Sequence, residues 1–388
     1  MDFAESEEIQ ALRDTLRRFI ANECSLEVVN KWDREDLIPR EMALKLAELG
    51  LFGMCVPEEY GGLGRQVIGL AVTLEELSRA SCALSSLYCM GASYAGLNIA
   101  ESGSEEQKQR LLPAILEGKM LFAYGLSEPD IGADLGNVKT RAEKQGDRII
   151  INGFKRWTSG ADIADYIYAL VRSGPTEARR ENLSFVLIPT DSQGVTITRL
   201  SGMGCNGAAL TDVALDNVEI PVENIVGGES CWNKGWNLLA GPALEVEKLG
   251  PCAISLGIAE GALAEAWQYS QERKQGGKHI CGHQAVRHVL SDAQTRLQAC
   301  RLMMNHAAWL VQTQQPSAVA TSMAKLFITE NAKEIVLNCQ QYVMGAYGYA
   351  HGFNMERYVR DVLGPVIYGG STAIQRNNIA NLLKLPRE

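Results

Sequence analysis

The stretch YGLSEPDIGAD (residues 124–134), followed by INGFKRWTSG (residues 151–160), decides how this chain is read. The first segment ends in a glycine-flanked turn whose backbone N–H groups can reach an anion or a ring heteroatom. The second offers Trp157, large enough to cover an aromatic face, with the hydroxyls of Thr158 and Ser159 beside it. Together they supply what a flavin ring needs. Near the other end lies IYGGSTAIQRNNIANLL (residues 367–383). Each segment alone reads equally as an ordinary turn, a buried tryptophan or a helix start; the three in this order are harder to set aside.

Around these segments the texture changes twice. Residues 6–23 carry Ile9, Leu12, Leu16 and Ile20 at helical spacing among charges. Helical patterns recur over 39–49, 67–81 and 104–116, with a turn-rich VPEEYGGLG loop at 56–64. The many small residues of 80–100 suit close helix packing better than they suit a pocket lining. From about Met120 the pattern becomes short β-branched or alternating runs at 140–151, 166–171, 183–188, 195–200 and 213–220, punctuated by Gly, Asp and Pro. That order predicts an antiparallel barrel or sandwich. Residues 173–183, SGPTEARRENL, read as an exposed hairpin loop. Beyond Trp232 the chain is helical again: Val286, Val289, Ala293, Leu297, Met304, Ala308 and Val311 form one apolar stripe, and 318–344 a second helix. These long helices read as a bundle. The expected fold class is α+β, with an N-terminal helical domain (1–120), a middle antiparallel β-barrel or sandwich (121–231) and a C-terminal four-helix bundle (232–388).

Composition bounds the function. The chain has 388 residues, 46% hydrophobic and 21% charged, enough for a sizeable core. A net charge of −9 argues against nucleic acid as a partner, but leaves room for an anionic ligand held by local cations. The ten cysteines are scattered, with no C-x-x-C pair, which fits reduced thiols in the cytoplasm better than a disulfide framework. The acidic start MDFAESEEIQ resembles neither a signal nor a transit peptide, and no apolar run is long enough to span a bilayer. His279 and His283, spaced by four in a loop-like context with no nearby carboxylate, make a poor metal site. No nucleophile elbow and no Rossmann or Walker glycine fingerprint appears.

The three quoted segments, at this order and separation, resemble the acyl-CoA dehydrogenase family over nearly the whole chain. The resemblance implies the helix–strand–helix order already read, FAD as cofactor and a homotetramer built as a dimer of dimers. It further implies α,β-dehydrogenation of an acyl thioester, carried by coenzyme A or by an acyl-carrier protein. The α-proton goes to a base and the β-hydride to flavin, with an electron-transferring flavoprotein or oxygen as final acceptor. Such chemistry needs a positioned base, donors for the enolate oxygen and an electron sink that no side chain supplies. The family's usual place for the base is filled here by Gly369, which cannot act as one. A second family location matches LEVEKLGPCA (residues 244–253), and its residue is Glu247, followed by Lys248. Taken alone, Glu247 reads as a surface glutamate in a helical ion pair. The missing glutamate at 369 turns the choice to Glu247 as base. Glu245, two residues away, would point about 200° round the helix. Pro251, four residues on, predicts either a widened turn within the helix or a helix start with Glu247 in the loop before it.

By the same resemblance the Gly369 N–H serves the enolate oxygen, while Ala133, Lys248 and Gly370 meet the substrate. Flavin contacts carry over to Tyr124, Leu126, Ser127, Gly132, Ala133, Trp157, Thr158, Ser159, Ser371 and Ala373. Arg273, Gln284, Tyr342, Gly345 and Ala346 would reach the diphosphate and adenine end across a subunit boundary. Ala133 stands where serine is usual, Gly276 where an aromatic often packs on the adenine, Tyr342 for glutamine and Lys248 for arginine. The segment GMGCNGAALTD (residues 202–212) lacks the arginine and serine usual at Asn206 and Ala208. These departures leave the carrier open. Rival readings are the reverse enoyl-thioester reductase, a flavin monooxygenase on the same fold, and a non-catalytic or lyase-like member.

Overall fold

Ser6 caps the opening helix by accepting from the Ile9 backbone N–H at 3.4 Å, so α1 runs Glu7–Glu23. The computed structural model describes residues 4–386. After α1 come α2 (Leu26–Glu35), α3 (Met42–Glu48), α4 (Val67–Ala80), α5 (Cys82–Gly91), a π turn over Ala92–Leu97, α6 (Asn98–Ser102) and α7 (Glu105–Leu116). The sequence reading missed α2, where only Val29 and Trp32 are buried and no long apolar stripe announces a helix. The small residues of 80–100 form nearly continuous helix: Ala83, Ala92 and Ala95 are buried, and a Cβ on Gly91 would fall 2.5 Å from the Phe52 ring. Close packing is what their size permits.

Seven strands follow: β1 (Phe122–Gly125), β2 (Arg141–Gln145), β3 (Arg148–Lys155), β4 (Tyr166–Arg172), β5 (Leu183–Pro189), β6 (Val195–Leu200) and β7 (Leu210–Pro221). They make one sheet in the order β1-β4-β2-β3-β7-β6, with β5 on the other edge of β4. Two expectations are corrected. The run 140–151 is not one strand: it folds back at Gly146–Asp147 into the β2–β3 hairpin, Ala142 opposite Ile151. The sheet is not wholly antiparallel, because β1 and β2 both lie parallel to β4. Tyr124, the first residue of the quoted 124–134 segment, lies on β1 opposite Tyr168. The loop at 173–182 joins antiparallel β4 and β5, as a hairpin loop should. Beneath the sheet, Phe122, Tyr168, Leu170 and Phe185 pack with Leu111, Leu112 and Ile115 of α7.

The chain then forms α8 (Gly235–Leu239), α9 (Ala243–Glu272), a small hairpin of β8 (Lys274–Gln275) and β9 (Lys278–His279), α10 (Gln284–Gln312) and α11 (Ala318–Asn338). A π turn over Cys339–Met344, α12 (Met355–Val362) and α13 (Thr372–Leu382) complete it. Helices α9, α10 and α11 pack on one another, α13 lies on α11, and α4 lies along α9. The α4–α9 contact welds the N-terminal helices to the bundle. Buried Arg13 of α1 bonds Glu75 and Glu76 of α4 at 2.8 Å each, and Arg301 of α10 bonds Glu75 at 2.6 Å and Glu260 of α9 at 2.5 Å. Such a network contributes little net stability, but removing one member strands its buried partners. No helix among the described residues is long and apolar enough to cross a membrane.

Pro251 lies inside α9, which begins at Ala243. The reading in which proline opens the helix and leaves Glu247 in a loop is therefore overturned. Glu247 occupies the second turn, and Pro251 has no N–H to offer its carbonyl.

Candidate active site

The carboxylate of Glu247 sits where α9, the π turn and the β1 edge converge. Asn98 Nδ2 donates to Glu247 Oε1 at 3.0 Å and to the Ser93 carbonyl at 3.2 Å. The Tyr124 hydroxyl reaches Oε2 at a long 3.4 Å. Tyr94 and Tyr168 flank Tyr124, with ring centroids 5.1 and 5.5 Å away. Glu247 forms no ion pair among the described residues, so the surface-pair reading fails. Burial pushes its carboxyl up to about 7, against the opposing pull of the Asn98 and Tyr124 hydrogen bonds. Solvent still reaches part of the residue, but its oxygens lie deep among the tyrosine rings. A π turn is a common device at functional sites; here it carries Tyr94, which packs on Tyr124, and leads directly into Asn98, which bonds the carboxylate.

Glu245 is occupied elsewhere, pairing with Lys248 Nζ at 2.8 Å and accepting from the Thr321 hydroxyl. Lys248 is buried and committed to that pair. The structure does not bring the Lys248 ammonium to Glu247, since helix geometry turns it about 100° away.

Across α9 lies the turn carrying Gly369 and Gly370, whose φ angles are +63° and +78°. A Cβ on Gly369 would fall 2.8 Å from Pro251 Cγ. Gly369 thus abuts α9 about one helical turn, roughly 6 Å, beyond Glu247. The turn is held from behind by buried Lys325, whose Nζ donates to the Pro365 carbonyl and, at 3.0 Å, to that of Tyr368. Burial pushes the Lys325 ammonium down to about 8. Ser371 caps α13 by accepting from Ile374 N–H at 3.4 Å, which sets Ala373 in the first turn just after Gly370.

The two segments quoted first are braced side by side. Arg156 N–H donates to the Ser127 carbonyl at 2.9 Å, and Thr158 N–H to that of Thr211 at 2.9 Å. Beneath them Lys155 and Glu128 form a fully buried ion pair at 2.9 Å. Lys155 also donates to the Leu126 carbonyl at 3.2 Å, and Glu128 accepts from the N–H groups of Lys139 and Thr140 at 2.7 and 2.9 Å. Replacing Lys155 by Met leaves the Glu128 carboxylate buried without a cation. We expect a loss of about 3–5 kcal/mol, together with weakened flavin retention, both read from denaturant titration of the loaded and unloaded protein. Unchanged stability would remove the brace from the account.

Above that brace Trp157 is 55% exposed and holds φ +63°, an unusual conformation for a bulky residue. The Arg156 guanidinium lies 5.1 Å from its ring. The Thr158 hydroxyl oxygen is buried and has no hydrogen-bond partner, and buried polar groups ordinarily find one. Gly132 and Ala133 are exposed, Leu126 and Ser127 half-buried. An orphaned hydroxyl, an open indole face and reachable backbone N–H groups fit a flavin ring.

A second set does not join this site. Arg273 caps the far end of α9 with its guanidinium 5.3 Å from the Tyr347 ring, and Gln284 begins α10. Tyr342 lies in the Cys339–Met344 π turn, with Gly345 and Ala346 just after it. Between Glu247 and Arg273 run 26 residues of one helix, or roughly 39 Å at about 1.5 Å per residue. One dinucleotide does not span that distance within a chain. The sequence reading missed Tyr94, Asn98, Glu128, Lys155, Tyr168 and Lys325; Asn98 sits in a run of small residues, and no local pattern marks a lysine for burial.

The fold and this site define a flavin-dependent oxidoreductase. Residues 6–119, 123–218 and 233–384 match the family models described as the acyl-CoA dehydrogenase N-terminal, middle and C-terminal domains. The chain is 32% identical to caffeyl-CoA reductase-Etf complex subunit CarC of Acetobacterium woodii, over 97% of this chain and 98% of that protein. It is 33% identical to cyclohexane-1-carbonyl-CoA dehydrogenase of Geobacter metallireducens, over 97% and 98%. The solved structure of butyryl-CoA dehydrogenase from Megasphaera elsdenii superposes with a TM-score of 0.93 at 26% identity, covering 99% of this chain and 100% of that one. The chain belongs to the acyl-CoA dehydrogenase family. It is an enzyme, its cofactor is FAD, and its chemistry is α,β-dehydrogenation of an acyl thioester.

Proposed function

We propose that Glu247 is the base that removes the α-proton of an acyl-CoA thioester. The observation carrying this reading is a carboxylate buried among three tyrosines, held by Asn98, and pushed up to about 7. A base with that pKa is ionised near neutral pH yet strong enough to take a proton. The Gly369 N–H, in a turn about one helical turn away along α9, stabilises the thioester oxygen as negative charge grows there. Ala133 and Gly370 border the thioester. Bound FAD supplies two-electron acceptance at the β-carbon, which no side chain here can perform. Tyr124, Leu126, Ser127, Gly132, Ala133, Trp157, Thr158 and Ser159 would hold its ring, with Ser371 and Ala373 at the start of α13.

Arg273, Gln284, Tyr342, Gly345 and Ala346 would serve the cofactor of a second copy. The length of α9 and the exposure of Tyr342, at 57%, support that reading and a homotetramer. Electron-transferring flavoprotein is the proposed acceptor, and CarC, named as part of an Etf complex, supports it. That relative's name also favours a second reading in which the enzyme works in reverse, as an enoyl-CoA reductase. Ten free cysteines support a reducing compartment, the cytoplasm. We take the domain divisions near residues 120 and 231, just before the first strand of the sheet at Phe122 and between its last strand, which ends at Pro221, and α8.

Anaerobic titration of the FAD-loaded enzyme with a panel of acyl-CoA and acyl-carrier-protein thioesters tests this directly. Bleaching by an acyl-CoA is expected, and no bleaching by any thioester sinks the reading. The pH dependence has a definite sign. Glu247 must be ionised to act, so the bleaching rate is expected to rise with pH and level off above about 7. Because the folded carboxyl is pushed above its ordinary value, its contribution to stability runs the other way. It is most favourable at acidic pH and is lost as pH rises from about 4.5 through 7. A rate that is flat between pH 5.5 and 8.5 would exclude Glu247 as base.

A further inference from the structure

Cys82 and Cys205 approach each other with Sγ atoms 2.9 Å apart, although 123 residues separate them in sequence. Cys82 is the first residue of α5 and is buried, while Cys205 is half-buried in the loop between β6 and β7. Its neighbour Met203 is 68% exposed, so small oxidants reach that loop. Cys205 holds φ +56°, unusual for a residue with a side chain, and its N–H donates to Asp361 Oδ1 of α12 at 2.6 Å. The loop is thus pinned in a conformation that aims one thiol at the other. The same spot adjoins the Gly369 turn: a Cβ on Gly364 would lie 2.9 Å from the Tyr368 ring and 3.5 Å from Cys205 Sγ.

We propose that Cys82 and Cys205 form a reversible disulfide that ties the first helical domain to the β domain against the wall supporting Tyr368. A bonded pair has sulfurs about 2.05 Å apart, so closure needs a shift of roughly 0.9 Å, well within the reach of a loop. Hydrogen peroxide is the oxidant. The Cys205 thiolate attacks one peroxide oxygen, the O–O bond breaks, and water leaves with a sulfenic acid on Cys205. The Cys82 sulfur then attacks that sulfur, the S–O bond breaks, and a second water departs as the S–S bond forms. Two thiols lose two electrons and two protons, and peroxide becomes two waters. A small dithiol reverses the step by exchange. The adjacent Cys82 thiol and burial both push Cys205 upward, so the reaction is slow and belongs to sustained oxidation rather than to turnover.

The test uses the full-length, FAD-loaded protein. After hydrogen peroxide treatment, free thiols are blocked and the protein is digested without reductant. The expected result is one pair of peptides, containing Cys82 and Cys205, joined with the loss of two hydrogens and separated by dithiothreitol. The oxidised protein should melt at a higher temperature and bleach more slowly with thioester. The slower bleaching rests on the proposed function, whereas the crosslink and the melting shift do not. Cys205→Ser should keep activity before oxidation and show neither the crosslink nor the shift. Recovery of both thiols in blocked form, or of Cys205 as sulfinic acid or joined to another cysteine, overturns the proposal. The wild-type peptide map decides the matter even where the variant fails to fold.

Discussion

Glu247→Gln should leave the FAD-loaded enzyme coloured in the presence of an acyl-CoA that bleaches the wild type. Glutamine keeps the size of the side chain, and its amide oxygen can still accept from Asn98 Nδ2, so folding and FAD content should be unchanged. What disappears is proton affinity. A positioned general base contributes about 10²- to 10⁴-fold, so the bleaching rate should fall by at least that factor, read by anaerobic stopped-flow absorbance. Asn98→Leu makes a graded companion. It removes a hydrogen bond that favours the ionised form, so the pH at half-maximal rate should move upward while a measurable rate persists. A Glu247→Gln rate above one-tenth of wild type would show that the proton goes elsewhere. It would also bring back the monooxygenase reading, which needs no base.

The second large effect concerns the position where a glutamate is absent. Gly369→Glu should not rescue Glu247→Gln, and it should destabilise the protein. Its φ of +63° suits glycine, and a side chain there costs about 1–2 kcal/mol. A Cβ would also fall 2.8 Å from Pro251 Cγ; overpacking of this kind costs a further 1–3 kcal/mol, roughly. The expected loss in denaturant titration is about 2–5 kcal/mol. Adding Pro251→Ala should recover part of it, because the ring that blocks the site is gone. If Gly369→Glu proved as stable as wild type and restored bleaching, Pro251 would not be the obstacle. Two features of the sequence would then be unrelated: a proline one turn after Glu247, and a glycine where a glutamate could stand.

The apolar stripe of residues 286–311 lies in a single helix, because a 3.6-residue period exposes its own burial pattern. The strand at 166–171 was visible for the same kind of reason, but its partners were not. That β1 and β2 run parallel to β4 depends on where the chain returns after long excursions, which local alternation does not encode. Within the site, Trp157 and Thr158 are legible from residue type as candidates to face a ring, and their open indole face and unpartnered hydroxyl suit that role. Lys155 and Glu128 are not legible: an alternating strand shows which face is buried, but not that a lysine will be buried beside a carboxylate from another segment.

By itself the sequence determined the order of helical, β and helical regions, the three segments suited to a flavin, and a glycine at 369 together with a glutamate at 247. Those are properties of residue identity and short-range period. Tertiary structure alone decided that Glu247 rests among Tyr94, Tyr124 and Tyr168, that Asn98 steadies it, and that Pro251 meets Gly369. Each of these joins residues far apart in the chain. Their meeting depends on the packing of α9 against the π turn, the sheet edge and the Gly369 turn, and short-range residue preferences carry no information about it.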